Sequence, residues 1–345
     1  MSSRAFTVSD ARYFPGTVAL VNSLAISGNS VPLTVLDRGL TVGQRRLIEP
    51  HCEIVPHAGD RSALLSKFVA PGASDADVVL LVDSDIIVTG LLTDAIQVAR
   101  SGAVYAFPDA AYPDRWFGEW TQLLELRAPL RRDAYRNTGF VALPGPGRSG
   151  LLERWAEACD RLAACDAEAG PEALTPVDTD PLQFEDQDCI NALLMSEVPV
   201  DHVVTGPPHG MVMQPDDLRV TQVVDVEQLR CTWRSEPVTM LHAIGPHKPW
   251  QPRGGREFRP TAFTRCLLRV LTGPDLVVRI PERELVPWLR SHRAASTVRG
   301  LLHAYDALAC ATRPARHRLV ARARGFAPSG RDHSPARPEG DRVDG

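Results

Sequence analysis

The stretch VVLLVDSDIIV, at residues 78–88, decides the fold prediction, because an apolar run leads into two carboxylates and then resumes. Five consecutive apolar residues, most of them β-branched, are typical of a strand buried on both faces of a parallel sheet. Aspartate is almost never fully buried without a partner, so Asp83 and Asp85 are expected where this strand leaves the sheet. Ligands of open α/β sheets bind at that edge.

The spacing of the two carboxylates predicts a cation site. Residues i and i+2 of an extended segment point to the same side, so Asp83 and Asp85 can reach one ion. Carboxylate oxygens suit a hard divalent cation, which can itself hold phosphate oxygens. Acidic pairs also end strands simply to solvate a turn, and this alternative stays open for the stretch taken alone.

Predicted strands and helices alternate over the first hundred residues. Strands are predicted at residues 5–9, 32–36, 53–56 and 103–107, and helices at 17–27, 41–49, 62–69 and 91–100. This alternation predicts βαβ units and an α/β fold with a mainly parallel sheet flanked by helices. Farther along, helices are predicted at 114–126, 151–164 and from 186, and strands at 137–143, 200–204 and 238–241.

The length of the chain, 345 residues, suits one large α/β domain with an appendage. We predict a main domain at residues 1–260, a helical C-terminal appendage at 261–327 and a disordered tail at 328–345, where apolar residues are scarce. The net charge of −4 argues against a nucleic-acid binder. Ten arginines against three acids at residues 279–324 predict a solvated helical face, with a patch that contacts a membrane surface or an acidic partner as the alternative.

Cysteine usage and the N-terminal residues favour a cytoplasmic protein. The seven cysteines are odd in number and scattered, and they contain no Cys-x-x-Cys motif. This pattern fits reduced thiols better than a disulfide framework or a zinc site. Residues 1–10 have no apolar signal core, and no apolar run approaches the length of a transmembrane segment.

Lysine is rare in this chain. Lysine and arginine together number 38, but only Lys67 and Lys248 are lysines. Because arginine provides the positive charge at the other positions, a site that keeps lysine is expected to need a compact ammonium group rather than a planar guanidinium group. Chance retention of two surface lysines is the alternative.

A second motif, His242-x-x-Gly245-x-x-Lys248-Pro-Trp, follows much later in the chain. Together with Asp83-Ser84-Asp85 it resembles the retaining glycosyltransferases of family eight, which include glycogenin and bacterial lipopolysaccharide galactosyltransferases. The resemblance covers residues 5–250. It implies a GT-A (Rossmann-like) fold, a nucleotide-diphosphate sugar donor, with UDP-hexose expected, and a Mn²⁺ ion, with Mg²⁺ as the alternative. Further motifs match in order, namely Asp10 and Tyr13, Lys67, Asn137 and Gly139, and Asp186-Gln187-Asp188 with Asn191.

The resemblance implies roles for the residues that face the leaving group. Asp83, Asp85 and His242 would hold the ion, and a mixed oxygen and imidazole set favours Mn²⁺. Breaking a sugar–diphosphate bond requires that the charge developing on the leaving group be neutralised. Lys248 is similar to the lysine that binds the diphosphate, and Lys67 to a second lysine nearer the nucleotide and the sugar.

The resemblance also implies contacts to the nucleotide. Tyr13 would stack on the base while Asp10 binds its edge, although a packed aromatic residue is an equally good interpretation of Tyr13. Ser84 departs from the family, where Ala is frequent at this position, and its hydroxyl would be able to touch the ribose. Gly245 would let the backbone pass close to the phosphates.

On the sugar side, Asn137 and Gly139 are similar to contacts with the donor sugar and the acceptor, although Asn and Gly also simply make turns. Asp186, Gln187 and Asp188 resemble the catalytic, sugar-binding motif near the anomeric carbon. Gln187 stands where double displacement would need a nucleophile. Since an amide oxygen is a poor nucleophile, we favour same-face attack by the acceptor, with retention of configuration.

Three other functions stay open on the sequence. A haloacid-dehalogenase-type phosphatase would use Asp83 as its nucleophile, but Ile-Ile follows the motif where Gly-Thr is usual. A nucleotidyltransferase gives no reason for the second motif. A nucleotide-sugar-binding protein without turnover would keep the same residues. The acceptor, which could be a glycan, a lipid-linked sugar, a protein or a natural product, is unknown, and its contacts are expected at residues 112–120, at 167–180 and in the C-terminal helices.

Overall fold

A seven-stranded sheet forms the centre of the computed structural model, which describes residues 2–57, 66–169, 180–245, 247–251 and 260–290, together with residues 297 and 300. The first eight strands are β1 (Ser3–Ser9), β2 (Leu33–Asp37), β3 (Glu53–Pro56), β4 (Val78–Val82), β5 (Ile86–Val88), β6 (Val104–Pro108), β7 (Arg136–Pro144) and β8 (Val203–Thr205). All but β5 belong to this sheet, in the order β3-β2-β1-β4-β7-β6-β8. Only β7 runs antiparallel to its neighbours, so the predicted mainly parallel sheet is confirmed.

Helices flank the sheet. Those described are α1 (Phe14–Ile26), α2 (Val42–Ile48), α3 (Val69–Gly72), α4 (Thr93–Arg100), α5 (Trp120–Leu123), α6 (Leu151–Ala169), α7 (Asp186–Leu194), α8 (Pro215–Val220) and α9 (Ala262–Thr272). Helix α1 begins three residues before its predicted start, because Pro15 lies in the first turn, where a backbone N–H is not needed.

The side chains of β4 alternate between two buried clusters, as successive residues of a strand must. Val78, Leu80 and Val82 pack in the cluster that contains α1 and α9. Val79 and Leu81 pack in the cluster that contains α6 and α7. All five are at most 3% exposed, and burial of each side chain stabilises the fold by roughly 1.5–3 kcal/mol. The predicted two-sided burial of this strand is therefore confirmed.

Two small sheets cover one end of the molecule. Their strands are β9 (Met211–Val212), β10 (Gln222–Asp225), β11 (Arg230–Trp233), β12 (Glu236–Val238) and β13 (Met240–His242). One sheet is β10-β11-β12, and the other is β5-β13-β9. In the second, His242 lies opposite Ile86, which follows directly after Asp85. The pairing of β13 with β5 therefore brings the two sequence motifs together.

Within residues 1–260, the helix predictions at 114–126 and 62–69 differ from the structure. Of the helix predicted at 114–126, only α5 is α-helical, because the side chain of Arg115 is bonded to distant groups and Gly118 interrupts the segment. Lys67 lies in a turn just before α3 rather than in a helix, while residues 62–65 of that prediction lie outside the described residues.

The described part of the predicted C-terminal appendage packs on the main domain. Asn22 of α1 donates its side-chain N–H groups to the carbonyls of Val270 and Val278, each at 2.8 Å. Residues 283–290, predicted as helical, form single 3-10 turns. Most of the Arg-rich segment and the whole tail at 328–345 lie outside the described residues, so these features and the boundary at 260 stay predictions. None of the helices described has the length and apolar character needed to cross a bilayer.

Candidate active site

Two neighbouring cavities open at the carboxyl ends of β1 and β4. The first has a volume of about 400 Å³ and the second of about 210 Å³, and they share Lys67, Asp83 and His242. All of the sequence-predicted site residues except Asp188 line one of them: Asp10, Tyr13, Lys67, Asp83, Ser84, Asp85, Asn137, Gly139, Asp186, Gln187, His242, Gly245 and Lys248. The fold thus brings residues as far apart in sequence as Asp10 and Lys248 to one edge of the sheet.

Asp83, Asp85 and His242 form a cluster of metal-binding side chains. Each offers one ligand atom, and these atoms lie within 4.8 Å of one another. The Nε2 atom of His242 lies 3.2 Å from Oδ1 of Asp85 and 3.9 Å from Oδ2 of Asp83. No other such group of three occurs in the part of the chain that the structure describes. Two carboxylates and an imidazole that converge in this way fit a divalent cation.

Both lysines of the chain are buried and paired with these carboxylates. The ammonium of Lys67 lies 2.9 Å from Asp83 and 3.1 Å from Asp186, with 8% of the side chain exposed. Lys248 pairs with Asp85 and donates to the carbonyl of Ala243 at 2.7 Å. Neither lysine is therefore a chance surface residue.

The charges of the site shift its pKa values. Burial alone would raise the pKa of Asp85, but His242 and Lys248 outweigh it and lower this pKa below its ordinary value. Burial raises the pKa of Asp186 to about 6, although Lys67 opposes the shift. Burial would lower the pKa of Lys67, but Asp186 and Asp83 raise it, so the ammonium stays charged.

Glycines allow close packing around the motifs. A Cβ on Gly139 would lie 2.5 Å from Cε1 of His242, so only glycine lets the imidazole rest against β7. A Cβ on Gly16 would lie 2.3 Å from the carbonyl oxygen of Ser84, a contact that the sequence did not indicate. Gly245 has φ of +94° with open space around it, so conformation rather than contact requires glycine there.

Asp109, which the sequence analysis missed, organises the second cavity. Its Oδ2 atom accepts hydrogen bonds from the amides of Asn137, at 2.9 Å, and Gln187, at 3.1 Å. The Oε1 atom of Gln187 accepts from the backbone N–H of Thr138 at 3.0 Å. Because a carboxylate only accepts and a backbone N–H only donates, these partners fix the orientation of the Gln187 amide. The position of Asp109 just after β6, at the same edge of the sheet as Asp83, is the sequence signal that could have identified it.

Asp188, predicted as catalytic, lies outside both cavities. Its side chain is 0% exposed. It accepts from Arg115, at 2.7 and 2.8 Å, from the hydroxyl of Tyr135 and from the backbone N–H of Phe184, both at 2.7 Å. Because four charge-assisted hydrogen bonds surround this carboxylate, it does not line either cavity.

Asp10 and Tyr13, which also line the first cavity, lie in the turn before α1. Oδ1 of Asp10 accepts from the backbone N–H groups of Arg12, at 2.7 Å, and Tyr13, at 2.9 Å. The Tyr13 ring meets Trp250 edge-on at 6.5 Å between centroids and also lines the cavity. The structure thus shows Tyr13 as a packed aromatic residue that also lines the cavity, and its stacking on a base stays a prediction. Arg38, which the sequence analysis did not single out, lines the same cavity.

This fold is found in solved structures of glycosyltransferases. The galactosyltransferase LgtC in complex with donor and acceptor sugar analogs has 16% identity and a TM-score of 0.52, over 81% of this chain and 98% of that chain. An active-site mutant of LgtC has 18% identity and a TM-score of 0.51 over the same shares. The bifunctional glycosyltransferase WbbM has 16% identity and a TM-score of 0.51, over 79% of this chain and 50% of that chain.

These likenesses confirm the predicted GT-A fold class, with its mixed, mainly parallel sheet flanked by helices. At the level of sequence, no family model and no curated protein matches the chain.

Proposed function

We propose that the protein is a metal-dependent glycosyltransferase of the family-eight type. It moves a hexose from a nucleotide-diphosphate sugar, with UDP-hexose as the expected donor, to an acceptor hydroxyl with retention. The observation that carries this proposal is the meeting of Asp83, Asp85 and His242 with two buried lysines in one cleft. The fold shared with LgtC, which was solved with donor and acceptor sugar analogs, supports the same conclusion.

The two cavities divide the donor between them. The larger one, with Asp10 and Tyr13, suits the nucleotide, and the smaller one, with Asn137 and Gln187, suits the sugar. The residues common to both cavities then face the diphosphate, where the bond to the sugar breaks.

The residues between the cavities neutralise the leaving group. Asp83, Asp85 and His242 would hold Mn²⁺, or Mg²⁺ as the alternative, and the bound ion would neutralise phosphate charge as the diphosphate leaves. Lys248 adds a second positive charge at this place, because its ammonium is buried beside Asp85. Lys67 offsets the repulsion between the like charges of Asp83 and Asp186, since its ammonium contacts both.

On the sugar side, Gln187 orients the reacting groups rather than attacking. Its amide oxygen already accepts from the N–H of Thr138, and its amide nitrogen donates to Asp109. An amide held in this way is a poor nucleophile, which supports direct same-face attack by the acceptor. Because Asp188 is fully enclosed, we assign it a positioning role instead of the catalytic role predicted from the sequence.

The proposal is tested with a panel of nucleotide sugars in the presence and absence of Mn²⁺. We expect slow release of the nucleoside diphosphate by hydrolysis without acceptor, and we expect Asp83→Asn to abolish it. Donor binding without release would indicate a binding protein. An aspartyl-phosphate at Asp83 would indicate the phosphatase. If no donor binds and Asp83→Asn changes nothing, the proposal fails.

A further inference from the structure

Arg115 and Asp188 form a buried ion pair beside the second cavity. The Nε and Nη2 atoms of Arg115 lie 2.7 and 2.8 Å from the two oxygens of Asp188, so the pair is bidentate. The side chains are 3% and 0% exposed. A bidentate guanidinium–carboxylate pair fixes the orientation of both partners as well as the distance between them.

The ion pair is bonded to the segment that leads into the site. The N–H of Phe184 donates to Asp188 at 2.7 Å, and Nη2 of Arg115 donates to the carbonyl of Asp180 at 2.7 Å. The guanidinium also lies 4.7 Å from the ring centroid of Phe184. Both ends of residues 180–184 are therefore attached to Arg115, directly or through Asp188.

The next residue, Glu185, is strained. Its φ of +41° lies in a region that residues with a side chain rarely adopt. Such a conformation persists only where the surroundings hold it in place. Asp186 and Gln187 follow at once and line the second cavity. The positions of these two side chains thus depend on what holds the turn.

We propose that Arg115 is a positioning residue, which holds the 184–187 turn through Asp188 and so places Asp186 and Gln187 at the donor sugar. This inference rests on the proposed function. It concerns the sugar side alone, because Arg115 does not line the larger cavity that suits the nucleotide. Loss of Arg115 should therefore impair turnover while nucleotide binding remains.

Chemical rescue of an Arg115→Ala variant is possible because Arg115, although its side chain is only 3% exposed, borders a third cavity. This cavity has a volume of about 320 Å³ and is formed by residues 112–117. A free guanidinium ion is small enough to enter this cavity. In an Arg115→Ala variant it can restore the bidentate contact with Asp188, whereas neutral urea lacks the charge that the carboxylate requires.

Arg154 provides a matched control. It is also buried, at 5% exposed, and its Nε and Nη2 atoms bind Glu197 at 3.0 and 2.9 Å. It donates to the carbonyls of Leu124 and Glu125, and it lines none of the three cavities. Arg154→Ala therefore removes a comparable buried pair without touching the turn at 184–187.

The experiment compares the full-length wild type with Arg115→Ala and Arg154→Ala. We expect Arg115→Ala to lower kcat for donor hydrolysis on the order of 100-fold, as a misplaced reacting group does, with Kd for UDP unchanged. Guanidinium at millimolar concentration should restore much of this loss, and urea should not. Arg154→Ala should keep its kcat.

Amide hydrogen exchange provides a test that needs no donor. In Arg115→Ala, the carboxylate of Asp188 loses the charge-assisted hydrogen bonds that hold it against Arg115, so the amide of Phe184, which donates to Asp188, should exchange at least about tenfold faster. The amides of Gln187 and Cys189 should follow. In Arg154→Ala they should not change. Unchanged exchange in Arg115→Ala, or an equal loss of kcat in both variants without rescue, overturns the positioning role. Absence of hydrolysis in the wild type counts against the proposed function instead, while exchange still decides the role of Arg115.

Discussion

The imidazole of His242 lies against the Cα of Gly139, where a Cβ would come within 2.5 Å of Cε1 and 2.7 Å of Nδ1. Gly139 belongs to β7 of the central sheet and His242 ends β13 of a small sheet. This contact sets how closely the two sheets approach. It also places Nε2 of His242 toward Asp83 and Asp85, because the opposite edge of the ring faces the strand.

We therefore predict that Gly139→Ala weakens Mn²⁺ binding while the protein stays folded. The added methyl group displaces the imidazole from the carboxylates, and disturbed support of a metal ligand typically costs about 10–100-fold in affinity. Titration calorimetry with Mn²⁺ measures the effect, and thermal unfolding checks the fold. Gly147→Ala is the control, since a Cβ there meets nothing within 4 Å. An unchanged Mn²⁺ affinity in Gly139→Ala would show that the contact with Gly139 does not set the position of His242.

Asp109→Asn should reduce turnover without reducing Mn²⁺ binding. One oxygen of the carboxylate accepts from Asn137 and Gln187, and the other accepts from the backbone N–H groups of Ala111 and Tyr112. An amide in its place therefore turns a donor toward one of these two pairs of donors. We expect kcat for donor hydrolysis to fall by up to about 100-fold. A control is Asp225→Asn, since Asp225 pairs with Arg230 on the separate β10-β11-β12 sheet. Equal kcat values for Asp109→Asn and the wild type would show that Asp109 does not orient the reacting groups.

Asp186 should give the stability of the protein a measurable pH dependence. Burial raises its pKa from 3.8 to about 6, so the folded state holds this proton more tightly than the unfolded chain does. The contribution to stability is fully present below about pH 3.8, and it is lost as the pH rises through 6. A shift of two pKa units corresponds to about 3 kcal/mol.

Urea unfolding of the wild type and of Asp186→Asn, with a chelator present, measures this effect between pH 3.8 and about pH 6. The free energy of unfolding of the wild type minus that of the variant should decrease as the pH rises. A difference that stays constant with pH would show that Asp186 does not titrate in this range.

The sequence was sufficient for those parts of the site that lie within local motifs. The apolar run that ends at Asp83 fixed both the strand and the position of the carboxylates, because two-sided burial leaves no other place for them. The scarcity of lysine singled out Lys67 and Lys248, and the structure buries both against those carboxylates.

The parts that could not be predicted depend on contacts between distant segments. Asp109 meets Gln187 across 78 positions of the chain, and Arg115 meets Asp188 across 73, so no local pattern marks either pair. The helix predicted at 114–126 is wrong for the same reason, since Arg115 is held by groups far away in sequence. The sequence places Asp188 in a predicted catalytic triplet with Asp186 and Gln187. Successive residues of a helix point in different directions, however, so the side chain of Asp188 is buried in the core.

Metal-assisted departure of the leaving group is tested most directly by the rate of nucleoside diphosphate release from UDP-hexose, measured against Mn²⁺ concentration for the wild type and His242→Ala. We expect release that saturates with Mn²⁺ in the wild type, and a variant that needs far more Mn²⁺ or releases nothing. Release that is independent of Mn²⁺, or equal in the two proteins, would contradict a leaving-group site built from Asp83, Asp85 and His242.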